Sequence, residues 1–568
     1  MSRPPRTSRT RRMSRTPGAP GGAPRERLIH EAVARQARLR PDATALVFAG
    51  RRVSYRTLDL AAEAYAVELG RLGVGADRLV PVLLPRSPQL VAVLLAVLKR
   101  GAAYAALDPK LPADRLRTVL GMLAPPVVVS PPAAPGGPSP VADAAARPPV
   151  WSPRDEELSE AAARAPAPGG PARTEEAMDG GDAVDGAAPA TVFFTSGTTG
   201  TPKGVLSPHR ATTRLFGPDG FAEFGPGRVM PQAAPVSWDA LTLELWSMLT
   251  TGGTVVLVDG DYFLPGDLAE LVESTGLDTI WLTAALFNLF VDEDPDCFTG
   301  LRQVFTGGER LSAPHIRSFL ARHPGITLLN GYGPVECCVF VTTHRIRPAD
   351  CEAEYGIPLG TPVPGTAIHV LDGDSEVPPG ALGEICVSGE GLADGYLGNE
   401  RATARSFATF DPGTGLRRIY RTGDLGRLDG AGVLHFHGRA DRQIKISGHR
   451  VEPAETEAAA LRLPGIRECA VLPVAGDSGA YERLSMFYTE EPLGGPKATG
   501  DGSADGDGCD GGDGSVVDGG AAGPAAVRKA LSAVLPRAQV PDEVRRIGSF
   551  PRTPNGKIDI AALLDPPG

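Results

Sequence analysis

Cysteine is scarce and dispersed. Seven occur in 568 residues, Cys337 and Cys338 are adjacent, and no CxxC pair is present. That argues against a disulfide framework and a structural zinc site, and it fits a reducing cytoplasm, so a cytoplasmic location is expected. Long apolar runs are lacking too. The most hydrophobic stretch, QLVAVLLAVLKRG (89–101), is too short to cross a bilayer, so no membrane partner is expected and a buried helix ending at Gly101 is predicted. Nor is there a basic excess. Lys and Arg number 57 against 67 Asp and Glu, a formal charge of −10, which argues against nucleic acid as a partner. The basic start MSRPPRTSRTRRMSRTPGAPGG leads into no apolar segment, so it is not a secretory signal; residues 1–27 read as a disordered tail.

What is present is a globular composition, 42% hydrophobic and 22% charged, with material for more than one domain. Residues 125–189 (Ala/Pro/Gly-rich) and 491–525 (Gly/Asp-rich) read as linkers or insertions. The second lacks the spaced Glu and flanking helices of a calcium loop. Short apolar runs, GTVVLVDG (253–260), DTIWL (278–282), LRQVFTGG (301–308) and ITLLNGYG (326–333), alternate with helical patterns such as DLAELVEST and PHIRSFLARH. The alternation predicts an α/β fold with parallel sheets flanked by helices, its ligands at the carboxyl ends of the strands. After residue 360 the pattern changes to AIHVLD, GEICVSG, VLHFHGR and RQIKISG, alternating strands joined by glycine turns. A boundary at 438–442 would separate a core of residues 28–440 from a small domain of residues 441–568.

The stretch ATVFFTSGTTGTPKGV (190–205) combines an apolar strand with a loop of glycines, small hydroxyls and one lysine. Such a loop lets backbone N–H groups and hydroxyls converge on an anion. It is not GxxxxGK[ST], because Pro202 precedes Lys203 and Gly204 follows it. Taken alone it also admits the lesser reading of a surface turn.

The remaining motifs decide between these readings. FFTSGTTGTPKG resembles the signature of the adenylate-forming superfamily of acyl-CoA synthetases, luciferases and nonribosomal peptide synthetase adenylation domains. The peptide-synthetase pattern continues in order with VSYRTLD (53–59), LKRGAAYAALDP (98–109), WDALTLELW (238–246), NGYGPVE (330–336) and GEICVSGEGLADGYL (383–397). It is completed by YRTGDL (420–425), GRADRQIKISGHRVEPAETE (438–457), LPRAQVP (535–541) and NGKID (555–559). The resemblance covers the chain from about residue 28 onward. It implies a β-barrel-like subdomain beside the parallel sheets, and a small mobile α+β C-terminal lid.

It also implies a reaction in which a carboxylate attacks the α-phosphate of ATP and pyrophosphate leaves. Both reactants are anions, so charge must be neutralised and attack aligned. By resemblance, Thr195, Ser196, Gly197, Thr198, Thr199, Gly200 and Lys203 hold the β- and γ-phosphates, and Glu336 helps to hold Mg²⁺. Tyr332, between Gly331 and Gly333, stacks on adenine. Asp424 takes the ribose hydroxyls and Arg439 lies near ribose and phosphate. Lys557 bridges the substrate carboxylate and the α-phosphate. Asp441 is the hinge about which the small domain turns to replace Lys557 with the face bearing KISGH, opening a path for a thiol.

Asp239 in WDALTLELW sets the subclass. A carboxylate in an apolar stretch needs a cation, and in the resembled branch that cation is the α-ammonium of an amino acid. The other pocket positions carried over are Ala240, Leu243, Trp281, Phe305, Gly307, Gly331, Val339 and Phe340, neutral and apolar throughout. A small branched aliphatic side chain fits, valine first, with isoleucine, leucine, alanine and 2-aminobutyrate as competitors. Val335 replaces the usual Thr of YGPTE, and LPRAQVP lacks the usual Tyr–Met pair. No carrier-protein motif follows NGKID. The expectation is therefore a free-standing enzyme serving a separate phosphopantetheinylated carrier protein, with an MbtH-like protein as a candidate helper. An acyl- or aryl-CoA ligase on the same framework, and a non-catalytic nucleotide-binding module, are the alternatives.

Overall fold

The computed structural model describes residues 28–132, 148–154, 160, 163, 185–196, 202–217, 220–260, 262–440, 443–446, 448–476, 481–490, 523–552, 558 and 563. Three sheets carry the large α/β region. A four-stranded sheet runs in the order Arg51–Ser54, Thr44–Phe48, Thr254–Leu257, Val229–Gln232, and a seven-stranded sheet contains Pro189–Thr195 paired with Lys203–Pro208. In a five-stranded sheet, Thr279–Thr283, Gln303–Gly307 and Thr327–Tyr332 lie parallel, as the sequence predicts.

The apolar segment at 89–101 forms the helix Pro88–Lys99. Pro88 starts it, the Ser87 side chain caps it, and Leu90 through Leu98 are all buried. Arg100 closes it and Gly101 follows at φ +70°, a backbone region that suits glycine. The helix is apolar all round because it is enclosed by protein on every side.

Beyond residue 360 the strands Thr366–Asp372, Gly383–Gly389, Phe407–Phe410, Arg417–Leu428 and Leu434–Arg439 pair antiparallel in a six-stranded sheet with a core of its own. The small C-terminal part has a separate core built on Ile466–Ala475, Tyr481–Glu490, Glu543–Arg546 and the helices Pro453–Ala460 and Pro524–Ser532.

Two readings need correction. Residues 125–189 are not wholly linker: Val128–Val129 and Val150–Trp151 extend the seven-stranded sheet at its edge, with Trp151 edge-on to Tyr65 at 5.5 Å. Strands of two residues are too short to show any periodicity. The stretch read as an insertion to residue 525 also overlaps the helix that begins at Pro524.

Candidate active site

The parallel strands position the site by register alone. Trp281 pairs with Phe305, and Gly307 with Gly331. Side chains two apart share a face, so Trp281, Phe305, Gly307 and Gly331 form one wall at the carboxyl ends of the strands. The absence of side chains at the two glycines is a steric requirement. A Cβ at Gly307 would lie 2.2 Å from the Gly331 carbonyl oxygen, and one at Gly331 would lie 2.2 Å from Cε1 of Phe340. Phe340 therefore packs directly on Gly331, with Trp281 at 5.5 Å and Phe305 at 6.3 Å between ring centroids. Phe221 and Phe224 complete this aromatic floor, at 5.8 Å from Phe340 and 6.0 Å from Phe305 respectively. The sequence reading missed both; their only signal was an i, i+3 aromatic pair in a loop.

Asp239 immediately precedes the helical turns that carry Ala240 and Leu243, both buried. Burial pushes its pKa up to about 6, against the opposing pull of Lys445 and of the nearby Val339 N–H. Val339 has φ +61° and Cys338 φ +60°. Consecutive positive φ values at non-glycine residues, one of them β-branched, are strained. Their effect is to turn the Val339 N–H toward Asp239.

At the far end, Tyr332 Oη donates to Asp424 Oδ2 at 2.5 Å, Arg439 Nη1 donates to Asp424 Oδ1, and Arg439 Nη2 donates to the Thr422 carbonyl at 3.2 Å. Asp424 and Arg439 are register partners on adjacent antiparallel strands, so the sheet itself sets their spacing. A Cβ at Gly333 would lie 2.4 Å from the Val339 carbonyl oxygen, which ties the segment after Tyr332 to the pocket turn.

Between these ends, Glu336 is fully buried. Burial alone would raise its pKa, but the Arg450 guanidinium and the Tyr396 hydroxyl outweigh burial and hold it below the ordinary carboxylate range. Arg450 Nη1 reaches both Glu336 oxygens at 3.0 and 2.9 Å, and Tyr396 Oη donates at 2.7 Å. Among the described residues no cluster of three or more His, Cys, Asp or Glu could hold a metal. A single charged carboxylate still suits Mg²⁺, which takes one or two carboxylates plus substrate phosphates. Thr195 Oγ1, at the end of its strand, is buried without a partner among the described residues. Ser196 Oγ donates to the Arg450 carbonyl at 2.8 Å, and Lys203 Nζ sits 5.4 Å over the Tyr396 ring. Gly197, Thr198, Thr199, Gly200, Asp441 and Lys557 lie outside the described residues.

The small domain covers this site with the strand pair Ile444–Ile446 and His449–Val451. The Gly448 N–H donates to Glu309 Oε1 at 2.6 Å, and His449 meets Trp238 edge-on at 4.4 Å. Burial pushes the Lys445 ammonium down, while Asp424 and Asp239 push it back up. Lys445 belongs to the KISGH face that the sequence reading brings to the site; Arg450, Glu309 and Tyr396 were visible in the sequence only as charges and a ring without partners.

The family described as AMP-binding enzyme matches residues 33–397. Tyrocidine synthase 3 of Brevibacillus parabrevis is 32% identical over 96% of this chain and 8% of its own length. Surfactin synthase subunit 3 of Bacillus subtilis (strain 168) is 31% identical over 93% of this chain and 38% of its own. The chain thus spans well under two thirds of the curated relatives it matches. The solved structure of holo-PA1221, an NRPS protein containing adenylation and PCP domains bound to vinylsulfonamide inhibitor, is 32% identical with a TM-score of 0.77, over 95% of this chain and 84% of that one. With the family matched across most of its length, the chain belongs to the AMP-binding enzymes, AMP-forming ATP-dependent ligases, and within them is similar to the adenylation modules of nonribosomal peptide synthetases.

Proposed function

We propose that this chain activates a small aliphatic amino acid, L-valine first, as its aminoacyl-adenylate and passes it to the phosphopantetheine thiol of a separate carrier protein. The observation that supports this most strongly is Asp239, a half-buried carboxylate beside an aromatic floor. The α-ammonium of the substrate pairs with Asp239 while its side chain lies against Trp281, Phe305 and Phe340. Asp424 takes the ribose hydroxyls, with Tyr332 and Arg439 holding that carboxylate. Thr195, Ser196, Lys203 and the loop between them hold the phosphates. Mg²⁺ supplies charge neutralisation at the departing pyrophosphate, and Glu336 is the residue that would hold it.

Arg450 and Mg²⁺ compete for the same Glu336 oxygens, so the arrangement with Arg450 on Glu336 belongs after pyrophosphate has left. Lys557 acts in the other arrangement, reached by rotation at Asp441. An MbtH-like protein is a candidate helper and the cytoplasm the proposed location.

Pyrophosphate exchange across the amino acids tests the reading. Exchange with valine and its near homologues supports it. Exchange only with carboxylic acids lacking an α-amine points instead to an acyl- or aryl-CoA ligase, and no exchange with any acid to a nucleotide-binding module.

Two further results are expected. The raised pKa of Asp239 means that its protonated, neutral form accumulates as pH falls through about 6. Affinity for the ammonium is present above that value and lost below it. In exchange assays from pH 5 to 8, kcat/KM for the amino acid should therefore fall on the acid side with an apparent pKa near 6, while the KM for ATP stays flat. The second concerns pocket depth. Phe340→Ala removes the ring that covers Gly331 and should raise the leucine-to-valine ratio of kcat/KM roughly tenfold, within the ~1–3 kcal/mol a hydrophobic pocket can discriminate.

A further inference from the structure

Arg214 is a charged side chain in the large domain that the chemistry above does not use. It is only 2% exposed. Its Nη2 donates to the carbonyls of Cys337 at 2.9 Å and Phe340 at 3.0 Å, and its Nη1 to the Pro364 carbonyl at 3.2 Å and Thr366 Oγ1 at 2.9 Å. One guanidinium nitrogen thus bridges the two residues that bracket Cys338 and Val339. These are the two residues with positive φ, and between them the Phe340 N–H closes onto the Cys338 carbonyl at 2.8 Å. A three-residue turn of this hand is rare and strained, and it persists only where its surroundings hold it. The neighbouring chain is fitted to the guanidinium as well. A Cβ at Gly391 would fall 2.2 Å from Arg214 Nη2 and 2.4 Å from Nε.

We propose that Arg214 is a positioning residue for amino-acid recognition: it clamps the 337–340 turn so that the Val339 N–H meets Asp239 and the Phe340 ring closes the pocket floor. The inference rests on the amino-acid reading of that pocket. A planar fork suits the task because one nitrogen holds the turn while the other is anchored on Pro364 and Thr366 in a fixed geometry. A lysine carries the same charge but no fork. A neutral aliphatic residue would leave four acceptors without their donor in the interior. Arg214 reaches the substrate only through the turn. Its removal should therefore weaken amino-acid binding and selectivity and leave the nucleotide side untouched.

The test uses the full chain and pyrophosphate exchange with ATP and with the amino acid that the wild type exchanges best. Arg214→Lys is expected to raise the amino-acid KM about tenfold, the effect of losing well-buried hydrogen bonds, and to narrow the ratio between preferred and next-best amino acids. The KM for ATP should stay within about twofold, as for independent sites. Thr366→Val removes one acceptor and leaves the guanidinium in place, so it should fold like the wild type and shift the same KM by a smaller factor in the same direction. Rescue is the decisive arm. Cys338→Gly relaxes a position with φ +60°, and in the Arg214→Lys background it should recover part of the lost amino-acid affinity. Equal changes in both KM values, or a lowered Tm with selectivity unchanged and no rescue, would reduce Arg214 to a packing role. If the wild type exchanges no amino acid at all, the reading of the pocket falls; if it does so and Arg214→Lys leaves its KM unchanged, the clamp alone falls.

Discussion

Asp239→Ala should remove amino-acid-dependent pyrophosphate exchange almost entirely while leaving ATP binding intact. The substrate ammonium would then face Trp281, Phe305, Val339 and Phe340, which offer no charge, with the like-charged Lys445 nearby. Removing one partner of a buried ion pair costs about 3–5 kcal/mol, roughly two to four orders of magnitude in kcat/KM. The variant should fold. The native carboxylate already resists ionisation, so its loss removes a costly charge, and Arg214 still holds the 337–340 turn in its absence. Exchange measured against valine, with ATP affinity measured separately by calorimetry, checks both halves. Retention of valine-dependent exchange within about tenfold of wild type, a loss of at most ~1.4 kcal/mol, would remove the main support for an amino-acid substrate.

Much of this site is legible in the sequence because its residues come in short runs at strand ends. Trp281, Phe305, Gly307 and Gly331 were named by family resemblance, and the register of the parallel strands puts them on one face. Asp424 and Arg439 are likewise register partners. What escaped were contacts across long sequence separations. Arg450 and Glu336 are 114 residues apart, and Arg214 and Cys337 are 123 apart. No local pattern carries such a pairing. A buried arginine among carbonyls looks in sequence like any surface arginine, since burial is a property of the fold. The strands Val128–Val129 and Val150–Trp151 escaped for the opposite reason: they are too short for any local rule to register.

Lys557→Ala should separate the two half-reactions. The small domain presents one face to the site here, with the Gly448 N–H on Glu309, His449 on Trp238 and Arg450 on Glu336. Two faces cannot occupy one cleft, so under the proposed function each half-reaction draws on its own set of small-domain groups. Loss of one positioned donor at developing negative charge costs ~3–4 kcal/mol, so adenylate formation should fall by two to three orders of magnitude. Transfer from a chemically supplied aminoacyl-adenylate to the carrier thiol should stay within about twofold, because uncoupled sites contribute independently. Gly448→Ala should show the reverse pattern. Gly448 has φ +81°, and a Cβ there would fall 2.6 Å from Thr283 Cγ2, so this face would no longer seat, transfer would slow and exchange would continue. Single-turnover measurement of each half-reaction in both variants decides the matter: parallel losses in both steps would mean that the small domain serves the two chemistries from one position.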